Sequence, residues 1–410
     1  MIASSQSTYV QPGQGYDGVV LVKLGNRYST GILLYDGLAV LTAAHLVVEP
    51  ANAPASAITV SFDVSQGRQT VTARDYLIHP GYEASSANND LALIWLSQPA
   101  PNSADRYGLY REGNELGQTL TMVGYGLTGT GIGGAVYDGA APNRHLAYNT
   151  IDADIGELKT LMGGSMGWRP LGGTQLVADF DNGLAGNDAL GLLMGRQQLG
   201  LGAREGILAP GDSGGPAFID GLLAGVASYT ASLSQGNIFP DVDGLSNSSF
   251  GEIAAWQRVS YYQQWIDRSL RSHYPDAPST PEEVTQQVVE GNSGTRYAYF
   301  LLSFTGVRDQ ASDILSVDYA TRDGTAKAGE DYLATRGTLV LYPGEAQAVI
   351  AVEVIGDSLR EGNETFYLDV TNPVGGSFGE AVSHLTAMRT ILDDDAGVQL
   401  LGLSPVASLV

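Results

Sequence analysis

The sequence predicts an all-β protein, a β-barrel assembly followed by a smaller β-sandwich. Three observations carry this. Glycine is abundant, 53 of 410 residues, while helix-favouring runs of Glu, Lys and Ala are scarce, a balance that favours strands joined by turns. Before residue 272, short apolar runs alternate with glycine turns: GVVLVKL, STGILLYDGLAVLTAAH, LALIWL, LTMVGYG and LLAGVASY. After a polar, proline-bearing stretch, SHYPDAPSTPEE (Ser272 to Glu283), period-two alternation returns in SVDYAT, GTLVLY, AVIAVEVI and TFYLDV, at the regular intervals of a sandwich.

The early runs are almost continuously apolar, so several read as strands buried on both faces. Helical spacing occurs in WQRVSYYQQWIDRSL, which puts Val259, Tyr262, Trp265, Ile266 and Leu270 roughly on one face. The tail GVQLLGLSPVASLV has no evident fold role.

Composition excludes several classes. Hydrophobic content of 43% and charged content of 16% describe a globular chain. No stretch approaches eighteen continuous apolar residues, so no membrane span is expected. A net charge of −23 would repel nucleic-acid phosphates. It suits solubility in a salty exterior, or carboxylates neutralised by cations. Cysteine is absent, which removes disulfides, thiolate metal sites and cysteine nucleophiles. The opening MIASSQSTYV shows neither a basic region nor an apolar signal core; either a leader has been removed or there was none.

The strongest motif is GDSGGP, Gly211 to Pro216, a hexamer that chance yields in roughly one such chain in 10,000. A hydroxyl nucleophile needs a sharp glycine-rich turn that exposes its oxygen and aims backbone N–H groups at a developing oxyanion. Gly211 and Ser213 are placed to supply those two donors. Upstream, LTAAH ends at His45 after an apolar strand, and NNDLAL places Asp90 before another. Either alone is more often a core histidine or a capping aspartate. Together with Ser213 they form a base, an orienting carboxylate and a nucleophile in matching local contexts.

TAAH, NNDLAL, VGYG (Val123 to Gly126), GDSGGP, VASY and the closing RVSYYQQWI resemble the chymotrypsin/trypsin-like serine peptidase family, over residues 2–271. The resemblance implies two six-stranded β-barrels with a C-terminal helix and a site between the barrels. It implies that Ser213 attacks the scissile carbonyl, that His45 moves the proton and that Asp90 orients the imidazole. His79, in HPGY, fits a family loop and is not the base. The family's usual disulfides are missing. A freed N-terminal amine normally pairs with the residue matching Asp212, and Ile2 lies at about the right distance to provide it if Met1 is removed. The specificity pocket maps onto Ile207 as floor and Thr230 and Ala254 as walls, which implies a small apolar preference. Glu205, two residues upstream of Ile207, would restore a basic preference if the loop shifted. Between Asp90 and Ser213, LVADFDNGLAGNDALG carries Asp179, Asp181, Asn182, Gly183 and Asp188, which resemble a cation-binding turn. A solvated acidic loop is the alternative.

After a linker at 272–283, residues 284–395 resemble the Calx-β domain through VVEGNSG, SVDYATRDGTAKAGEDY, GTLVLYPGEA, VIGDSLREGNETFYLDV and ILDDD; a tail follows at 396–410. The resemblance implies calcium ligands at Glu290, Asp331, Asp357, Glu361, Glu364, Asp393, Asp394 and Asp395. Gly356 and Ser358 stand where some members carry acidic residues, which would lower site number or affinity. The expectation is a secreted serine endopeptidase acting on polypeptides, with structural Ca2+, no cofactor in catalysis, and an extracellular matrix or cell-surface ligand for the sandwich. The other reading is a calcium-dependent adhesion or matrix-binding protein that uses the barrels as scaffold. The complete His45, Asp90 and Ser213 set favours the enzyme.

Overall fold

The computed structural model describes residues 1–4, 8–48, 53–306, 308, 310 and 314–395; the tail at 396–410 lies outside them. The chain divides into two compact units, one of residues 1–274 and one from 275 onward.

In the first unit, six strands close into a barrel in the order Val19–Leu24, Arg27–Leu33, Ala39–Thr42, Ala92–Leu96, Gly67–Ile78 and Ile58–Val64. Ala39–Thr42 and Ala92–Leu96 are buried at every residue, as their unbroken apolar runs predict. A short helix, Ala44–Val47, follows directly and carries His45.

The second set of six strands lies within a larger sheet. Its six strands run Gln175–Asp179, Glu252–Arg258, Leu222–Ser232, Pro216–Ile219, Thr119–Gly124 and His145–Thr150, inside a sheet of eight. The outer edges are occupied by two short strands: Ala153–Asp154 pairs with Gln175–Asp179, and Thr8–Tyr9 with His145–Thr150. Because those edges are taken, no backbone ladder closes the ring among the described residues. A side chain bridges it instead. Asn149 donates from Nδ2 to the Asp179 carbonyl at 2.7 Å and to the Gly206 carbonyl at 2.9 Å.

The predicted helix spans Val259–Arg271 and buries Val259, Tyr262, Ile266 and Leu270. Trp265 is half-buried, with its ring 4.8 Å from that of His79. No described helix is long and apolar enough to cross a membrane.

The second unit packs a five-stranded sheet, ordered Gln287–Val289, Leu385–Leu392, Glu364–Val374, Leu315–Asp323 and Arg336–Leu341, with the pair Thr295–Ser303 and Gln347–Ile355. Phe300, Val352, Val354, Phe366 and Leu368 belong to its core. This is the expected sandwich.

Candidate active site

Asp90 is 1% exposed and receives three hydrogen-bond contacts. His45 donates its backbone N–H to Oδ1 at 2.9 Å, and its Nδ1 lies 2.8 Å from Oδ2. Ser228 donates its hydroxyl to the same Oδ2 at 2.6 Å. A carboxylate accepts, so the His45 Nδ1–H is the donor in this contact. Ser228 was not singled out by the sequence reading. VASY, whose third residue it is, was the available signal.

The turn bearing Ser213 is clamped onto the first barrel. Thr30 donates its N–H to the Ser213 carbonyl at 2.9 Å, and the Ser29 hydroxyl donates to that oxygen as well. Thr30 Oγ1 donates to the Gly211 carbonyl at 2.8 Å and accepts from Tyr125 N at 3.0 Å. Glycine is required here for space. At Gly214, with φ +78°, a Cβ would lie 2.2 Å from Thr42 Oγ1 and 2.3 Å from the Thr30 carbonyl. The N–H groups of Gly211 and Ser213 have no protein acceptor among the described residues.

Asp212 points the other way, into the interior. Its Oδ2 lies 2.7 Å from the Met1 ammonium, both groups 1% exposed. Gly126 N donates to Oδ1 at 2.8 Å and Ala209 N to Oδ2 at 2.9 Å. Ile2 pairs with Ile207 in a short antiparallel ladder. His79 packs edge-on against Tyr262 at 5.4 Å and accepts from Gly81 N at 3.1 Å. Burial lowers its pKa. Its place is structural.

Around the expected pocket, Ile207 and Ala254 are fully covered. Thr230 is half-buried and lies directly across from Ala254 in the ladder. The Glu205 carboxylate is turned away, accepting from Asp181 N at 2.8 Å and from Leu201 N.

The acidic turn is not solvated. Asp179, Asp181 and Asp188 are 1%, 2% and 2% exposed, and one oxygen of each lies within 4.8 Å of the others. Asp152 and Glu205 join them electrostatically. Burial, then neighbouring carboxylates, push Asp181 up to about 10 and Asp152 to about 9. Burial likewise takes Asp179 and Glu205 to about 7.

In the sandwich, the expected ligands gather in two groups: Glu290 with Asp393 and Asp395, and Asp331 with Glu361 and Glu364. Glu290 and Glu364 are each raised to about 7, by burial first and by neighbouring carboxylates after it. Glu290 Oε1 and Asp395 Oδ2 are buried without a hydrogen-bond partner. Asp357 neighbours Glu290 electrostatically, but its Oδ1 accepts from Leu359 N at 2.6 Å and it belongs to neither group. Asp394 is exposed and accepts from Gly291 N at 3.0 Å, so it does not join them either. Gly356 is required for close packing: a Cβ there would meet the Gly291 carbonyl at 2.4 Å and the Glu290 carbonyl at 2.6 Å.

Comparison with known proteins agrees with this division. The Trypsin family profile matches residues 8–138, a span that contains His45 and Asp90, and the Calx-beta domain profile matches residues 285–395. Sodium/calcium exchanger 2 of Homo sapiens is 40% identical over 204 residues, 43% of this chain and 21% of the exchanger. Sodium/calcium exchanger Calx of Drosophila melanogaster is 37% identical over 91 residues, 22% of this chain and 10% of the exchanger. The chain thus spans about a fifth or less of these curated relatives. Among solved structures, mouse neuropsin, a serine protease, shares 18% identity and a TM-score of 0.46, covering 66% of this chain and 100% of that one. The profiles match in that order, Trypsin within the first unit and Calx-beta within the second.

Proposed function

We propose that the protein is a secreted serine endopeptidase in which His45, Asp90 and Ser213 cleave peptide bonds through an acyl-enzyme, with a calcium-binding sandwich appended. The observation that carries this reading is the Asp90 carboxylate, 1% exposed and bonded to both the backbone and the ring of His45. Such an arrangement fixes the tautomer that leaves Nε2 as base, and it stabilises the imidazolium once formed. His45 takes the Ser213 hydroxyl proton as the oxygen attacks the carbonyl, then returns it to the leaving amine. Water repeats the sequence on the acyl-enzyme. The N–H groups of Gly211 and Ser213 face the oxyanion. Covered Ile207 and Ala254, with Thr230 beside them, favour a small apolar side chain before the scissile bond.

The sandwich carboxylates suit a hard cation, which takes six to eight oxygens. Glu290, Asp393 and Asp395 would hold it at one position, and Asp331, Glu361 and Glu364 at another. The orphaned Glu290 Oε1 and Asp395 Oδ2 fit that role, and the relatives' name, sodium/calcium exchanger, points to the same ion. The cation supplies charge neutralisation and takes no part in peptide hydrolysis. Ser213→Ala tests the enzyme reading. Turnover of a peptide with Ala before the scissile bond should fall on the order of 10^6-fold, with the circular dichroism spectrum unchanged. Turnover like the parent's would overturn it.

A further inference from the structure

Several buried carboxylates in the peptidase unit have a cationic partner. Asp267 pairs with Arg111 at 2.8 Å, Asp17 with Arg144 at 2.6 Å, Glu115 with Arg258, and Asp212 with the Met1 ammonium. The cluster of Asp179, Asp181, Asp188 and Glu205 differs from these in gathering four carboxylates at one place. All four are at most 2% exposed, yet among the described residues no Lys, Arg or His nitrogen lies within 4.0 Å of their carboxylates. Backbone amides satisfy part of the set. Leu190 N donates to Asp179 at 2.6 Å, and Gly191 N and Gln198 N donate to Asp188 at 2.6 and 3.1 Å. Asp181 Oδ1 is buried and has no partner at all. The surroundings are also shaped to these groups: at Gly200, φ +79°, a Cβ would sit 2.0 Å from Glu205 Oε2 and 2.8 Å from Asp181 Cβ. Several buried negative charges at such spacing do not persist uncompensated.

We infer that Asp179, Asp181 and Asp188, with Glu205 and Asp152 adjoining, bind a hard divalent cation of calcium type within the peptidase unit, and that this cation holds the chain leading to Ser213. An all-oxygen, carboxylate-rich set with neither His nor Cys suits calcium above softer metals. The link to the nucleophile runs through residues 205–212 and rests on the peptidase reading above. The Glu205 carboxylate grips Asp181 N, while its carbonyl accepts from Ser4 N at 2.8 Å. Gly206 and Ile207 then pair with Ala3 and Ile2, and Asp212 meets the Met1 ammonium. An ion in the cluster holds the Glu205 carboxylate on Asp181 N, which fixes the strand from which the Gly211–Ser213 turn departs.

The test uses the full chain carrying Ser213→Ala, so that self-cleavage does not interfere and no activity is needed. In this background Glu290→Gln, Asp331→Asn and Glu364→Gln remove the sandwich sites, and equilibrium dialysis counts bound calcium. One calcium per chain is expected to remain, and to vanish on adding Asp181→Asn. No calcium in the parent of that pair overturns the site, whatever the folding of the Asp181 variant. So does an Asp181→Asn variant that binds calcium unchanged, or one that melts higher than its parent equally with chelator and with calcium, the behaviour of a cluster kept neutral by protons. In the chain with Ser213 intact, chelation is expected to lower kcat/KM at least tenfold, and Asp181→Asn to abolish that response. Unchanged turnover alongside a confirmed calcium overturns the link to the nucleophile and leaves the site standing. An inactive enzyme that still binds the calcium condemns the peptidase reading alone.

Discussion

Two sets of carboxylates in the peptidase unit are equally hidden from water and differently supplied with partners. Asp90 and Asp212 are each satisfied by named partners: His45 and Ser228 for the first, Gly126, the nearby Ala209 and the Met1 ammonium for the second. Asp179, Asp188 and Glu205 receive amides but no cationic side chain, and Asp181 Oδ1 receives nothing. A buried charge with complete partners organises its surroundings; one without them calls for a proton or an ion. The sandwich offers an intermediate case, in which Glu290 is buried but Asp331 and Glu364 are only half-buried and Glu361 is exposed. Water can carry part of the charge there, so a cation contributes less than it does in a closed site.

The largest expected effect comes from breaking a complete set. Asp90→Asn keeps the shape but permits the wrong imidazole tautomer, and kcat should fall on the order of 10^4-fold. A loss under tenfold in steady-state assays would mean that His45 is oriented by something else. Next, Asp17→Asn leaves the buried Arg144 guanidinium without its anion. Removing one member of such a pair costs about 3–5 kcal/mol, to be read as a lower urea midpoint of the peptidase unit. An unchanged midpoint would mean that the pair is dispensable.

In the sandwich, calcium at a hundred times its dissociation constant should add about 2.7 kcal/mol, raising the melting temperature of that unit by several degrees. A melting curve unmoved at about 10 mM calcium, well above the weak extracellular range, would reduce the acidic groups to a charged surface.

The pH dependence without calcium separates the sets further. Asp179 and Glu205 are raised to about 7, and Asp152 and Asp181 to about 9 and 10. With folded pKa values above the unfolded ones, the folded state holds more protons once pH exceeds about 4. Stability is therefore complete in acid and lost as pH climbs from there towards 10, by at most about 1.4 kcal/mol per pH unit for each proton held. Melting in chelator from pH 5 to 9 should show that decline, and calcium should flatten it. A rise in stability over the same range would contradict the assignment. The smallest effect concerns specificity: substrates with Ala, Val or Leu before the scissile bond should exceed Arg substrates by about tenfold in kcat/KM. Arg preferred would implicate Glu205 despite its present orientation.

Each member of the proposed catalytic set lies in a short motif of its own, LTAAH, NNDLAL or GDSGGP, so it could be read locally. Ser228 was harder, since its contact with Asp90 arises only when a strand 138 residues away is laid beside it. Asp152 and Glu205 were invisible as members of the acidic cluster for the same reason. Asp152 arrives beside Asp179 through the edge strand at Ala153–Asp154, and Glu205 through the loop that returns to Asp181. Local spacing suggested Asp179, Asp181 and Asp188, but only the packing shows them enclosed. The closure of the second sheet by Asn149 had no sequence signal either, because an Asn in a strand ordinarily reads as a surface residue.

Chemical labelling of the intact protein reads the activation of Ser213 directly. A fluorophosphonate reacts with a serine hydroxyl only where a base and an oxyanion site activate it. Mass spectrometry of the labelled and digested chain should find one adduct per molecule, on Ser213, absent after heat denaturation and strongly reduced in Asp90→Asn. An unlabelled Ser213 in the folded, calcium-supplied protein, or an adduct on another serine, would contradict the account.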